Sequence, residues 1–186
     1  MSADLAADVR RLVLGAAATS DLERAARADF ATFFPDEHGP VSRDDGPDHA
    51  TASALVFDPT LTRTLLVFHA KGQFWVQPGG HLETGDASIA DAALRELREE
   101  TGVVVSALTK PLVYDLDHHG LSSSFGRCSS HLDIGIAVVV VVSDDAALIV
   151  SDESEDVRWW PITALPDEVP PGFDGRVRRL RDRLHI

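Results

Sequence analysis

Residues 88–102 (SIADAALRELREETG) constrain the fold more than any other segment. Ser88 with Asp91 three residues on resembles a capping box, and Gly102 stands where a C-terminal cap belongs. The pattern predicts a helix over 88–101. At about 100° per residue, Ala90, Ala93, Leu94, Leu97 and Thr101 form one packing stripe, and Glu96, Glu99 and Glu100 fill the arc beside it. Like charges at these spacings oppose a helix by ~0.2–0.5 kcal/mol a pair. Glu99 and Glu100 also lie in the last turn, where the helix dipole is negative. Arg95 and Arg98 offset part of this. A hard divalent cation with oxygen ligands, Mg²⁺ or Mn²⁺, would offset the rest. The ordinary alternative is a solvated helix end laced with Arg–Glu pairs.

The flanking pattern is strand-like. Residues 52–57 and 64–69 read as strands with a turn at Asp58-Pro59, and residues 74–76 as a third strand running into Pro78-Gly79-Gly80. Gly79-Gly80 and Gly85 bracket His81 to Thr84, which predicts a sharp loop that brings backbone groups close to a ligand. Further strands are expected at 103–105, 112–116, 132–142 and 157–160, with a loop at 117–130 and a basic helix near 175–184. Strands around one central helix predict a mixed α/β layer fold. Residues 1–34 read as two helices. Asp21 is expected to cap the second, which would bury Leu22, Ala26, Phe30 and Phe33. Residues 35–48 are polar and rich in Gly, Pro and Asp, as a linker is. The division expected is a helical extension with linker over 1–48 and a second domain over 49–186.

The glycine loop and the carboxylate helix together resemble the signature of the Nudix hydrolase family, G-x5-E-x7-R-E-U-x-E-E-x-G-U, where U is a bulky apolar residue. This chain reads Gly80, five residues, Asp86, eight residues, Arg95-Glu96-Leu97, Arg98, Glu99-Glu100, Thr101, Gly102-Val103. Asp86 replaces the family's first Glu, and one extra residue follows it. Those departures bear on the loop; the half that carries the chemistry is intact. The resemblance implies an α/β/α sandwich around a mixed sheet. It also implies Mg²⁺-dependent (Mn²⁺ as the alternative ion) cleavage of a nucleoside diphosphate linked to another moiety. Glu96, Glu99 and Glu100 would then be the metal-binding and base-bearing carboxylates, with the Gly79 carbonyl as a further ligand. Arg95 would orient Glu96, and Gly80, Gly85 and Asp86 would shape the substrate loop. Some relatives place another Glu on a loop before a late strand beginning with Trp. Here Glu153, six residues before Trp159, is preferred for that role as ligand or base, and Glu155 is second. Either Glu99 or Glu153 would serve as the base. The box-centred resemblance spans roughly residues 51–166.

Composition narrows the alternatives. A net charge of -13, from 17 Lys+Arg and 30 Asp+Glu, argues against a nucleic-acid groove as the main surface. The partner expected is a small nucleotide-type molecule. The longest apolar run, 134–142, is too short for a membrane span of ~20 residues. Asp4 and Asp8 spoil a signal-peptide reading of the first residues, so the expected compartment is the cytoplasm. A homodimer is compatible with the resemblance, and the apolar faces of the first two helices could cover either this chain or a second subunit. Cys128, the sole cysteine, excludes a Cys-rich zinc module and reads as an ordinary thiol. His118, His119 and His131 read as structural or solvent-facing. Trp159 and Trp160 face opposite sides of a strand, so at most one is core. Two competing functions remain. A catalytically silent nucleotide sensor is opposed by the three retained glutamates. An isomerase of the same fold is opposed by the position of Cys128 after the box.

Overall fold

The computed structural model describes residues 2–36, 38–105, 112–141 and 147–185. The elements run α1 (Ser2–Gly15), α2 (Asp21–Phe33), β1 (Asp48–Phe57), β2 (Arg63–His69), β3 (Phe74–Val76), β4 (Gly79–His81), α3 (Ile89–Thr101), β5 (Val113–Gly120), β6 (Ser130–Val139), β7 (Ser154–Pro161) and α4 (Phe173–Leu184). The seven strands form one mixed sheet in the order β3-β2-β1-β6-β5, with β4 paired to β1 and β7 paired to β2. Among the described residues, no helix is long and apolar enough to cross a membrane. By its contacts the chain divides into two compact units, and β1, α3 and β6 each run through both.

The first unit holds Met1–Ser53, Gly80–Ala93 and Tyr114–Gly135. Leu5, Ala6, Val9, Leu12 and Val13 of α1 are buried, as are Ala26 and Phe30 of α2. The chain itself therefore covers the apolar faces of both helices. The cap of α2 is Ser20, not Asp21. Glu23 N–H donates to Ser20 Oγ (3.2 Å), and Ser20 N–H donates to Glu23 Oε2 (2.9 Å). Glu23 also accepts from Thr19 N–H (2.8 Å) and Thr19 Oγ (2.9 Å), so its carboxylate is buried. That arrangement turns Leu22 outward, where it is 72% exposed. Phe33 is half-buried, edge-on to His118 at 5.7 Å, and Phe34 beyond the helix end is buried instead. Asp8 of α1 accepts from Ile89 N–H (2.9 Å), satisfying an orphan donor at the start of α3. Ser88 Oγ accepts from Asp91 N–H (3.1 Å), while the Asp91 carboxylate reaches Ala87 N–H (3.2 Å) rather than that of Ser88.

Two loop expectations narrow in this unit. The Gly79-Gly80 pair lies in strand β4, so the sharp turn expected falls only at Thr84-Gly85, where Gly85 has no positive φ and open space where a Cβ would stand. The turn is closed by polar pairing. Glu83 N–H donates to Asp86 Oδ2 (2.8 Å), and Asp86 N–H to Glu83 O (3.1 Å). The expected loop over 117–130 is shorter, because β5 continues to Gly120 and β6 begins at Ser130. His118 at the strand end is held by Ser130 Oγ (3.0 Å) and by Asp29 (3.1 Å).

The second unit holds Ala54–Gly79, Leu94–Val113 and Ile136–Ile186. Here β2 pairs antiparallel with β1, β3 and β7. The core joins Leu55, Phe57, Leu66, Trp75, Ala137 and Ile162 to Phe173, Val177, Leu180 and Leu184 of α4. The basic segment is thus an amphipathic helix whose outer face carries pairs such as Arg178–Asp174 (3.4 Å). Trp160 packs edge-on against Trp75 (5.1 Å), whereas Trp159 takes the Arg63 guanidinium over its ring (5.7 Å). The strand expected at 103–105 is absent. Gly102 turns the chain at φ +74° and donates to Arg98 O (2.9 Å), and Val103 follows as a buried plug with Val104 exposed. A Cβ at Gly102 would stand 2.8 Å from the Ile149 side chain, so both conformation and space call for glycine. Strand β6 ends at Val139, and Val142 lies outside the described residues.

Candidate active site

Three elements of the second unit converge: the C-terminal half of α3, the start of β4 and the turn before β7. On α3, Ala93, Leu97 and Thr101 are buried as the periodicity predicts, while Ala90 and Leu94 are half-buried. The glutamates then separate by depth. Glu99 is about half exposed (49%), Glu96 is nearly enclosed (14%), and Glu100 is buried. Arg95 explains part of this. Its Nη1 donates to Glu96 Oε1 (2.8 Å) and to Glu99 Oε2 (3.1 Å), tying the two carboxylates together from one guanidinium. Arg98 stands farther off, 3.9 Å from Glu99.

Glu100 points away from that arginine. Its Oε2 accepts from Gly79 N–H at 2.8 Å. Gly79 therefore meets the carboxylate cluster through its amide. Burial pushes the Glu100 carboxyl up to about 8; Glu96 and Glu153 push the same way, and the Gly79 N–H and the Ser154 hydroxyl oppose it. Burial also raises Glu96, with Arg95 opposing and with Glu99 and Glu153 adding to the rise.

Glu153 and Glu155 are told apart by a break in strand pairing. Phe68 faces Asp156 and His69 faces Ser154, so Glu155 is an extra residue on β7. Glu155 leans out to accept from Gln73 Nε2 (2.8 Å) on an exposed surface. The carbonyl of Glu153 accepts from Ala70 N–H (3.0 Å), which pins the turn to the end of β2. From there its exposed carboxylate bears on Glu96, Glu100 and His69. His69 escaped the sequence reading. Its Nδ1 accepts from the amides of Lys71 (3.2 Å) and Gly72 (3.3 Å), leaving Nε2 to carry the proton. Burial lowers its pKa and Glu153 opposes the fall. A histidine ending a strand is an ordinary sequence feature, and only the strand pairing sets it beside Glu153.

The cluster thus unites Arg95, Glu96, Glu99, Glu100, Glu153 and the amide of Gly79. Gly80 in β4, and Gly85 and Asp86 in the connection from β4 to α3, belong to the first unit. The sequence model of the NUDIX domain matches residues 47–181. An uncharacterized Nudix hydrolase of Bacillus subtilis, YvcI, is 42% identical over 43 residues, which are 23% of this chain and 27% of that protein. The chain thus matches about a quarter of that relative's length. Among solved structures, the NUDIX domain of Shewanella oneidensis NrtR, crystallised with ADP ribose, aligns with a TM-score of 0.54 at 23% identity, over 73% of this chain and 87% of that one. The MutT protein of Methanosarcina mazei aligns with a TM-score of 0.55 at 19% identity, over 76% and 97%. An Ap4A hydrolase of C. elegans aligns with a TM-score of 0.55 at 14% identity, over 73% and 97%. These structural matches show the fold. With the domain match extending over most of its length, the chain belongs to the Nudix family.

Proposed function

We propose that the protein hydrolyses the diphosphate bond of a nucleoside diphosphate derivative, using a divalent cation held by the α3 carboxylates. The observation that carries this is Glu100, a buried carboxylate kept beside Glu96 and Glu153 with no arginine or lysine paired to it among the described residues. Burying carboxylates together is costly unless a positive group joins them. An all-oxygen donor set of this kind fits a hard ion such as Mg²⁺, with Mn²⁺ as a substitute. Glu96, Glu99 and Glu100 would hold it, with Gly79 and Glu153 at the margin. When bound, the ion would neutralise the charge of the phosphates and acidify a water.

The remaining work falls to the chain. Arg95 fixes Glu96 and Glu99 in place through its two hydrogen bonds. The Gly79 amide holds one Glu100 oxygen. Glu153 is assigned the base, because it is exposed on its turn and stands outside the Arg95 pairs that engage Glu99. It takes a proton from the attacking water as the water displaces at phosphorus, giving two phosphorylated products and no covalent intermediate. Glu153→Gln is expected to lower kcat about 10–100-fold with KM nearly unchanged, whereas Glu155→Gln stays within about twofold. Equal losses in both would return the role to Glu99.

The reading is tested by incubating purified protein with Mg²⁺ or Mn²⁺ and a panel of nucleoside triphosphates, ADP-ribose, NADH, nucleotide sugars, coenzyme A and dinucleoside polyphosphates. Metal-dependent release of two phosphorylated products supports it and names the substrate class. Binding of a panel compound without cleavage would assign the chain to nucleotide sensing.

A further inference from the structure

A second group of ligating side chains lies wholly in the first unit and shares no residue with the carboxylate cluster. His49 near the start of β1, His81 at the end of β4, Cys128 before β6 and His131 near the start of β6 place one ligand atom each within 4.8 Å of one another. Cys128 Sγ is 3.9 Å from His49 Nε2 and 3.9 Å from His81 Nε2. The three imidazoles surround a common point, with ring centroids 5.1–5.3 Å apart. We propose that these four side chains form a Zn²⁺ site that fastens β4 and the β5–β6 loop to strands β1 and β6 within this unit.

The donor chemistry selects the ion. Three imidazole nitrogens and one sulfur suit zinc and reject Mg²⁺ or Ca²⁺, which require oxygen. In a tetrahedral zinc site, bond lengths of ~2.0–2.3 Å put ligand atoms ~3.3–3.6 Å apart. The two sulfur–nitrogen distances need to close by only a few tenths of an ångström to reach that. A pair at the 4.8 Å limit needs to close by about 1.5 Å. Second, His49 is already oriented as zinc ligands are. Its Nδ1–H donates to Gly46 O (3.0 Å), which leaves the Nε2 lone pair facing Cys128. His49 is fully buried, so this orientation is held on every side.

The third observation is an unmet need. His131 Nε2 is buried with no hydrogen-bond partner, which is unfavourable for a polar atom cut off from water. A cation at the common point would satisfy it. A histidine stack with a free thiol, the alternative, leaves that nitrogen without a partner. Four protein ligands would close the coordination sphere, which marks a structural rather than a catalytic zinc.

The test measures metal content and cobalt spectra on the full chain. Protein expressed with zinc is expected to retain about one equivalent through gel filtration. Metal-stripped protein given Co²⁺ is expected to show intense tetrahedral d–d bands and a thiolate-to-cobalt charge-transfer band. Cys128→Ser, nearly isosteric, removes the charge-transfer band while circular dichroism shows it folded. His131→Ala lowers retained zinc at least tenfold, and Glu100→Gln alters neither readout, which separates this site from the carboxylate cluster. Zinc-free wild-type protein without cobalt bands, or bands that survive Cys128→Ser unchanged, would overturn the proposal.

Discussion

Glu100→Gln is expected to abolish most turnover, by about 10²–10⁴-fold, while making the metal-free protein more stable. The activity loss follows from geometry. Glu100 is the most deeply buried of the α3 glutamates, and Gly79 N–H holds one of its oxygens at 2.8 Å. A glutamine keeps the shape and that hydrogen bond but supplies no charge for a cation. The stability gain follows from electrostatics. A carboxyl raised from 4.5 to about 8 in the folded state resists ionisation there and ionises freely when unfolded. Its contribution to stability is therefore fully present below about pH 4.5 and is lost as pH rises through about 8. Glutamine imitates the protonated form at every pH. The difference in melting temperature between variant and wild type should be near zero at pH 4.5, grow toward pH 8 and level off above it. A gap on the order of 5 °C is expected at the plateau without added cation. Thermal melts across that range with a chelator present check the sign. A variant that loses activity and also melts lower at pH 8 would mean that Glu100 is held by stabilising partners, contrary to the burial argument.

Phe30→Ala is expected to cost about 3–5 kcal/mol and to lower the melting temperature by on the order of 10 °C. Phe30 is fully buried, stacks on Phe34 with ring centroids 6.5 Å apart, and sits on the inward stripe of α2. The helix is joined to the rest of its unit through Asp29–His118 (3.1 Å) and the Phe33–His118 contact, and α1 through Asp8–Ile89 (2.9 Å). We propose that the first 48 residues stabilise the chain as an integral part of the first unit. Denaturant unfolding checks this. A loss below about 1 kcal/mol, with one unchanged transition, would show that α1 and α2 are dispensable.

The sequence carried the central helix almost complete. Periodicity, a capping serine and a terminal glycine are local signals, and α3 appears over Ile89–Thr101 within a residue of expectation. Helical spacing also sufficed to put Glu96, Glu99 and Glu100 side by side. Depth was not legible. Spacing made the three equivalent, and the packed chain alone buried Glu100 under Gly79 and left Glu99 exposed. The choice between Glu153 and Glu155 depended on an extra residue in β7, which only strand pairing against β2 reveals. The cap of α2 moved from Asp21 to Ser20 because one buried glutamate, Glu23, satisfies three donors at once.

The histidine and cysteine cluster marks the other limit. His49, His81 and the Cys128–His131 pair come from three segments far apart in the chain, and Cys128 by itself reads as an ordinary thiol. What the sequence by itself determined is what can be read locally along the chain: the helical stripe, the carboxylate arc and the β-rich runs. The tertiary structure decided which groups lose their water and which distant groups meet. Burial and long-range pairing depend on how elements pack and in what register, and neither is encoded in the spacing of neighbours.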